Sequence, residues 1–235
     1  KRKMPNLIDV TYARTGESTS TNTMGMRAMQ ARAYEARNSQ YLLIKAPPAS
    51  GKSRALMFIA LDKLHNQGVK KAIVAVPEKS IGSSFDSTKL SDYGFFTDWV
   101  VDDKNNLCTP GGESSKVKAF ANFIEGDDPI LVCTHATLRF AYQELENSAF
   151  DNVLLAIDEF HHVSAAEDNV LGDVLHNLMA NSMAHIVAMT GSYFRGDSAP
   201  VLLPEEEAKF TKVTFNYYEQ LNGYTYLKSL GIGYH

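Results

Sequence analysis

The stretch Tyr41-Leu42-Leu43-Ile44-Lys45-Ala46-Pro47-Pro48-Ala49-Ser50-Gly51-Lys52-Ser53 passes from an apolar strand through a loop of small residues into a helix. No other part of the 235-residue chain constrains its fold as strongly. The pattern G-x-x-x-x-G-K-[ST] is met except at its first position, where Ala46 replaces glycine. Its chemistry is that of a phosphate-binding loop. Gly51 lets backbone N–H groups close on a polyphosphate, Lys52 brings a point charge to the outer phosphates, and the Ser53 hydroxyl can ligate Mg²⁺. The N-terminus of the following helix adds partial positive charge. Pro48, Ala49, Ser50, Gly51, Lys52, Ser53 and Arg54 form the candidate nucleotide cradle.

Composition sets the outer bounds. With 44% apolar and 21% charged residues, the chain has the make-up of a globular protein with one large domain. No apolar run approaches the roughly 18 residues of a membrane span, and no signal-peptide core opens the chain, so a cytoplasmic location is expected. Cys108 and Cys133 lack C-x-x-C spacing and read as reduced thiols, without zinc. A net charge of −4 argues against a uniformly basic nucleic-acid coat but leaves room for a few phosphate-gripping loops. The chain begins at Lys1 without an initiator Met, as a piece of a longer protein would.

Residues 1–25 form a polar lead-in, and a helix is expected over 24–37. The strand at 41–46, a helix over 52–66 stopped by Gly68, and the apolar run 72–76 make a parallel βαβ unit. The segment 77–110 is irregular, with Trp99-Val100-Val101 as a possible short strand. Helices follow at 116–125, 136–146 and 170–182, alternating with apolar strands at 129–133, 153–157 and 185–189. Glu205-Glu206-Glu207 reads as a solvated turn or helix start, 213–215 as one more strand, and the Tyr-rich 217–235 as a domain exit. Near-continuous apolar strands alternating with helices imply an α/β fold with a mainly parallel sheet covered on both faces, and ligands then sit at the strands' carboxyl ends.

Asp158-Glu159 closes one of these strands. Two acids suit two roles: Asp158 holds Mg²⁺ through its water shell, and Glu159 orients and deprotonates an attacking water. His161 fits a polar relay to the next strand end better than a metal site, since adjacent His161 and His162 point apart and no third ligand supports them. His162 is read as packing only.

Taken together, Ala46-x4-Gly51-Lys52-Ser53, Asp158-Glu159-Phe160-His161 and Thr190-Gly191-Ser192 resemble motifs I, II and III of superfamily 2 helicases of the D-E-x-H group. The resemblance covers roughly Met26 to Tyr226 and is greatest to restriction-enzyme motor subunits and related DNA-repair translocases. It implies a RecA-like P-loop NTPase fold, a three-layer sandwich, with residues 26–212 as the ATP-binding lobe and 213–235 leading towards a second lobe. In Met26-Arg27-Ala28-Met29-Gln30, Gln30 would contact the adenine edge with Arg27 beside it. Thr190, Ser192 and Arg195, with His161, would couple the ATP site to motion, although Tyr193 stands where the family has proline. ATP and Mg²⁺ are the implied cofactors.

The same resemblance places nucleic-acid contacts at Pro77 and Lys79 in motif Ia and at Thr134 and His135 near motif Ib, with DNA ahead of RNA as the track. Short polar groups there can bind phosphates without reading bases. The helix-cap or solvated reading of Lys79 and Thr134 stays open, and Gly111-Gly112 reads as a plain loop. The family's second RecA-like lobe supplies arginines across the ATP cleft, and residues 196–235 are too few to encode it. The fragment is therefore expected to bind nucleotide and turn it over weakly or not at all. The alternative function is a P-loop switch or small-molecule kinase that does not act on nucleic acid.

Overall fold

A computed structural model describes residues 21–47, 50–160, 165–191 and 202–215. Its centre is a six-stranded sheet: β1 (Tyr41–Lys45), β2 (Lys71–Val76), β3 (Ile130–Thr134), β4 (Val153–Ile157), β5 (His185–Thr190) and β6 (Thr211–Thr214). The spatial order is β3-β2-β4-β5-β1-β6, and every neighbouring pair is parallel. The helices are α1 (Ala28–Glu35), α2 (Lys52–Asn66), α3 (Glu113–Glu125), α4 (His135–Tyr142), α5 (Ala165–Asn181) and the short α6 (Pro204–Glu207). Among the described residues no helix is long and apolar enough to cross a membrane.

Apolar strand residues divide between two cores because successive side chains leave opposite faces of a sheet. Leu42, Ile44, Val74, Val76, Val132, Leu154, Val187 and Met189 join α1 and α2 on one face. Leu43, Ile73, Leu131, Leu155, Ile157 and Ile186 meet α3, α4 and α5 on the other, making three layers. Helix α2 is buried from Ala55 through Lys63. It can be apolar on nearly all sides because α1 and residues 85–99 cover the side turned away from the sheet.

Several boundaries differ from the sequence expectations. The first helix starts four residues late because the Asn22 side chain accepts the N–H groups of Met24 and Met26 and Gly25 adopts φ 81°, so this stretch is a turn. The segment 77–110 folds as 3₁₀ turns at 79–85, 90–93 and 103–105. Trp99 is not in a strand; it makes an isolated antiparallel bridge with Thr88, and its indole donates to the Phe85 carbonyl at 2.9 Å. Helix α4 ends four residues short of the expected end, and α5 begins five residues early. The acidic run at 205–207 is a helix start but is not solvated throughout. Glu206 and Glu207 are buried, and the Glu206 carboxylate accepts the Leu203 N–H and pairs with His176.

At the amino ends of β1 and β5, the fully buried Lys63 ammonium donates to Ser39 O at 2.9 Å and Gln67 Oε1 at 3.3 Å, and meets His185 Nδ1 at 2.7 Å. An ammonium only donates, so His185 accepts at Nδ1 and is neutral here. Burial, then the Lys63 charge, lower the His185 pKa to about 4, and burial lowers that of Lys63 to about 8. An imidazole with a depressed folded pKa contributes stability that is present above its unfolded value of about 6.5 and is lost as pH falls towards 4. The unfolding free energy is expected to fall between pH 6.5 and 4.5 more steeply in the wild type than in a His185→Asn variant. Denaturant titrations across that range, with equal slopes as the contrary result, check it.

Candidate nucleotide site

The sequence expectation that ligands sit at the strands' carboxyl ends acquires geometry from the strand order. β5 lies between β1 and β4, so Thr190 falls between the phosphate loop and the acidic pair. The Ala46 N–H donates to Thr190 O at 3.0 Å and the Phe160 N–H to Met189 O at 2.8 Å, which ties both loops to the end of β5. Ala46 is fully buried against the α2 core, and its backbone does not enter the positive-φ region where glycine would be required. Its methyl is therefore packing, which explains how the loop does without its first glycine.

Gly51 does require glycine. It caps α2 with φ 90°, and a Cβ there would lie 2.4 Å from Gln30 Nε2. Gln30 is buried, donates to Gly51 O at 3.1 Å and accepts the Arg27 N–H at 2.7 Å. The residue expected to meet the adenine edge thus also ties the first turn of α1 to the phosphate loop. The guanidinium of Arg27 would lie 3.7 Å from the same Cβ. Ser50 is buried, and its hydroxyl closes the loop by donating to Pro47 O at 2.6 Å.

Across the site, Lys52 Nζ and Glu159 Oε2 are 3.2 Å apart, with the lysine side chain 10% and the glutamate 27% exposed. Among the described residues Glu159 alone, apart from glycines, has positive φ, at 48°. Such a backbone persists only where the surroundings enforce it, and it falls here on the second acid of the pair. Burial pushes the Asp158 carboxyl up to about 6; the Lys52 charge opposes the shift and Glu159 adds to it. A carboxylate and a serine hydroxyl are hard-oxygen donors, and Mg²⁺ takes one or two such protein ligands and completes its shell with phosphate and water. Asp158 and Ser53 fit that cation.

Behind the acidic turn, His135 Nε2 donates to Asp158 O at 2.9 Å. Thr134 caps α4 by accepting the Thr137 N–H at 3.1 Å, and the Thr137 hydroxyl donates to Glu113 at 2.5 Å. Thr134 and His135, expected at the nucleic-acid track, are both buried. His135 instead braces the acidic turn from the interior, a link across 23 residues with no local signal in the sequence. Lys79 is exposed at the end of β2, and Pro77 is half-buried. Near Lys79, Lys116 is buried, with its ammonium donating to the Thr109 carbonyl and held below its usual range by burial and then by Lys79. Pro48, Ala49, His161, Ser192 and Arg195 lie outside the described residues.

A phosphate loop at one strand end, an acidic pair two strands away and a threonine end between them define a nucleoside-triphosphate-binding α/β domain. The chain belongs to the DEAD/DEAH box helicase family, whose pattern matches residues 27–196. Over 232 residues it is 66% identical to the protein of Bacillus subtilis (strain 168) named "Putative ATP-dependent helicase YeeB", covering 99% of this chain and 39% of that relative. Three solved structures share the fold. The UvsW helicase of bacteriophage T4 is 19% identical with TM-score 0.51, covering 80% of this chain and 59% of its own. The Hef helicase domain of Pyrococcus furiosus is 16% identical with TM-score 0.53, covering 82% and 38%. The helicase MrfA bound to DNA and AMPPNP is 14% identical with TM-score 0.54, covering 86% and 30%.

Proposed function

We propose that this domain is the ATP-binding lobe of a nucleic-acid helicase or translocase. The Lys52–Glu159 ion pair is the observation that carries the reading, because it joins the phosphate-binding cation to the water-activating base. Nucleotide phosphates compete for Lys52, and as the lysine turns to them the Glu159 carboxylate is released to orient a water and accept its proton. Ser53 and Asp158 would hold Mg²⁺, which neutralises charge on the phosphates when bound. Thr190 sits where strand ends carrying both halves of the site meet, the position a coupling element needs.

Exposed Lys79 offers backbone-phosphate contact, and Pro77 lies two residues before it. DNA is favoured over RNA as the track because the MrfA structure that shares this fold holds DNA. The chain spans 39% of its Bacillus relative, which leaves room in such a protein for a second RecA-like lobe. Arginines supplied from that lobe are worth about 10³- to 10⁵-fold in rate in phosphoryl-transfer enzymes, so the lobe alone binds ATP and turns it over slowly. A cytoplasmic site of action suits the free thiols of Cys108 and Cys133.

The test is ATP hydrolysis by the intact protein with and without single- and double-stranded DNA and RNA. Stimulation of several-fold or more by one of these is the expected result. Hydrolysis or phosphate transfer indifferent to every nucleic acid would overturn the motor reading in favour of a switch or small-molecule kinase.

A further inference from the structure

We propose that Tyr93 is the base-stacking wall of the nucleotide site, with Arg54 as the side chain that yields its ring face to the purine. The inference rests on the reading that a nucleotide binds at the phosphate loop, and it assigns the base end of that site to the irregular segment after β2.

One face of α2 carries Arg54, Phe58 and His65, and the chain at 93–96 runs along it. The Arg54 guanidinium lies 5.3 Å from the Tyr93 ring centroid, Phe58 lies 4.8 Å from Phe95, and His65 lies 5.3 Å from Phe96. Phe95 is buried and also meets the Tyr34 ring at 6.0 Å, so the ladder is anchored at its middle rung. The direction of the ladder puts Phe96 at the far end of α2 and Tyr93 in register with its first turn, beside the phosphate loop.

A second set of contacts reaches the same spot from the turn before α1. A Cβ on Gly25 would lie 2.8 Å from Tyr93 Cβ, so the backbone there presses against the tyrosine. Two residues on, Arg27 begins the turn whose Gln30 reaches Gly51 O. Gly94, with φ 112°, lets residue 94 approach Thr23 so closely that a Cβ would lie 2.0 Å from the Thr23 carbonyl oxygen. Tyr93 is thus held by backbone on two sides while its side chain stays largely in solvent, at 60% exposure.

A large aromatic ring left open beside a polyphosphate site has a use. Gln30 already spends one N–H and one lone pair within the protein, leaving its remaining donor and acceptor for a base edge. An edge contact of that kind supplies no stacking surface, whereas every base has a π-face that an aromatic side chain can cover. The exposed cation–π contact of Arg54 is weak enough to be displaced.

The experiment is displacement of a fluorescent ATP analogue from the intact protein by ATP and by inorganic tripolyphosphate, both with Mg²⁺. It compares the wild type with Tyr93→Ala, Tyr93→Phe and Lys52→Ala. Tyr93→Ala is expected to weaken ATP roughly 5- to 100-fold, the range for loss of one base–aromatic stack. Tripolyphosphate should be unaffected, and Tyr93→Phe should retain wild-type ATP affinity. Unchanged ATP affinity in Tyr93→Ala, or equal losses for ATP and tripolyphosphate, would overturn the stacking role while Lys52→Ala still weakens both ligands. If Lys52→Ala left both affinities intact, the nucleotide-site reading itself would fall and this inference with it.

Discussion

Replacing Glu159 with glutamine in the intact protein is expected to lower ATP turnover by about 10²- to 10⁴-fold, the usual contribution of a positioned general base. Nucleotide affinity should hold or rise slightly. The amide keeps the size of the carboxylate, and an L-residue replaces an L-residue at φ 48°, so the backbone requirement is unchanged. What disappears is proton acceptance and the charge that holds Lys52 at 3.2 Å. In the wild type, phosphates must draw Lys52 from this partner. A partly exposed ion pair is worth up to about 1 kcal/mol, so its removal is expected to tighten ATP by at most about fivefold. Single-turnover hydrolysis and equilibrium binding measured on the same variant separate these effects. Hydrolysis within tenfold of the wild type would move water activation to another residue, and a large loss of binding would mean that Glu159 holds the site's shape.

The largest expected effect on stability comes from Trp99→Ala, at about 3–5 kcal/mol. The Trp99 side chain is fully buried in the same core as Phe58, Phe85 and Phe95. Alanine would leave a cavity and deprive the Phe85 carbonyl of the indole N–H it accepts at 2.9 Å. Domains are stable by only about 5–15 kcal/mol in total, so the loss is a large share. It should lower the melting temperature by roughly 6–20 °C for a chain of this size. Trp99→Phe keeps much of the volume and should recover more than half of the loss. A melting temperature within a degree of the wild type would show that the segment after β2 is no part of the cooperative core. Because the same segment carries Tyr93, Trp99→Ala should also weaken ATP binding at temperatures where the domain is still folded.

Much of the fold was legible because its signals are local. Leu42-Leu43-Ile44 and Val153 to Ile157 are apolar on both faces, as strands buried in a covered parallel sheet must be, and α2 was read to its observed ends from the loop before it and Gly68 after it. The segment 77–110 was not legible. Its order comes from Trp99 and Phe95 packing against α1 and α2, and no period within the segment announces those contacts. The burial of Glu206 and Glu207 was missed for the same reason, since the partner of Glu206 is His176 on a distant helix.

By itself the sequence determined the chemistry at each strand end. Gly51, Lys52 and Ser53, and Asp158 and Glu159, are neighbours in the chain, and their spacing is enforced by covalent geometry. Only the tertiary structure decided how those ends combine. It set β5 between β1 and β4, brought Lys52 to Glu159 across 107 residues, placed His135 beneath the acidic turn and stood Tyr93 beside Arg54. The physical reason is that a side chain's identity fixes what it can donate, accept or stack against. Its partner is chosen by long-range packing of two cores on one sheet, which no single stretch of the chain encodes.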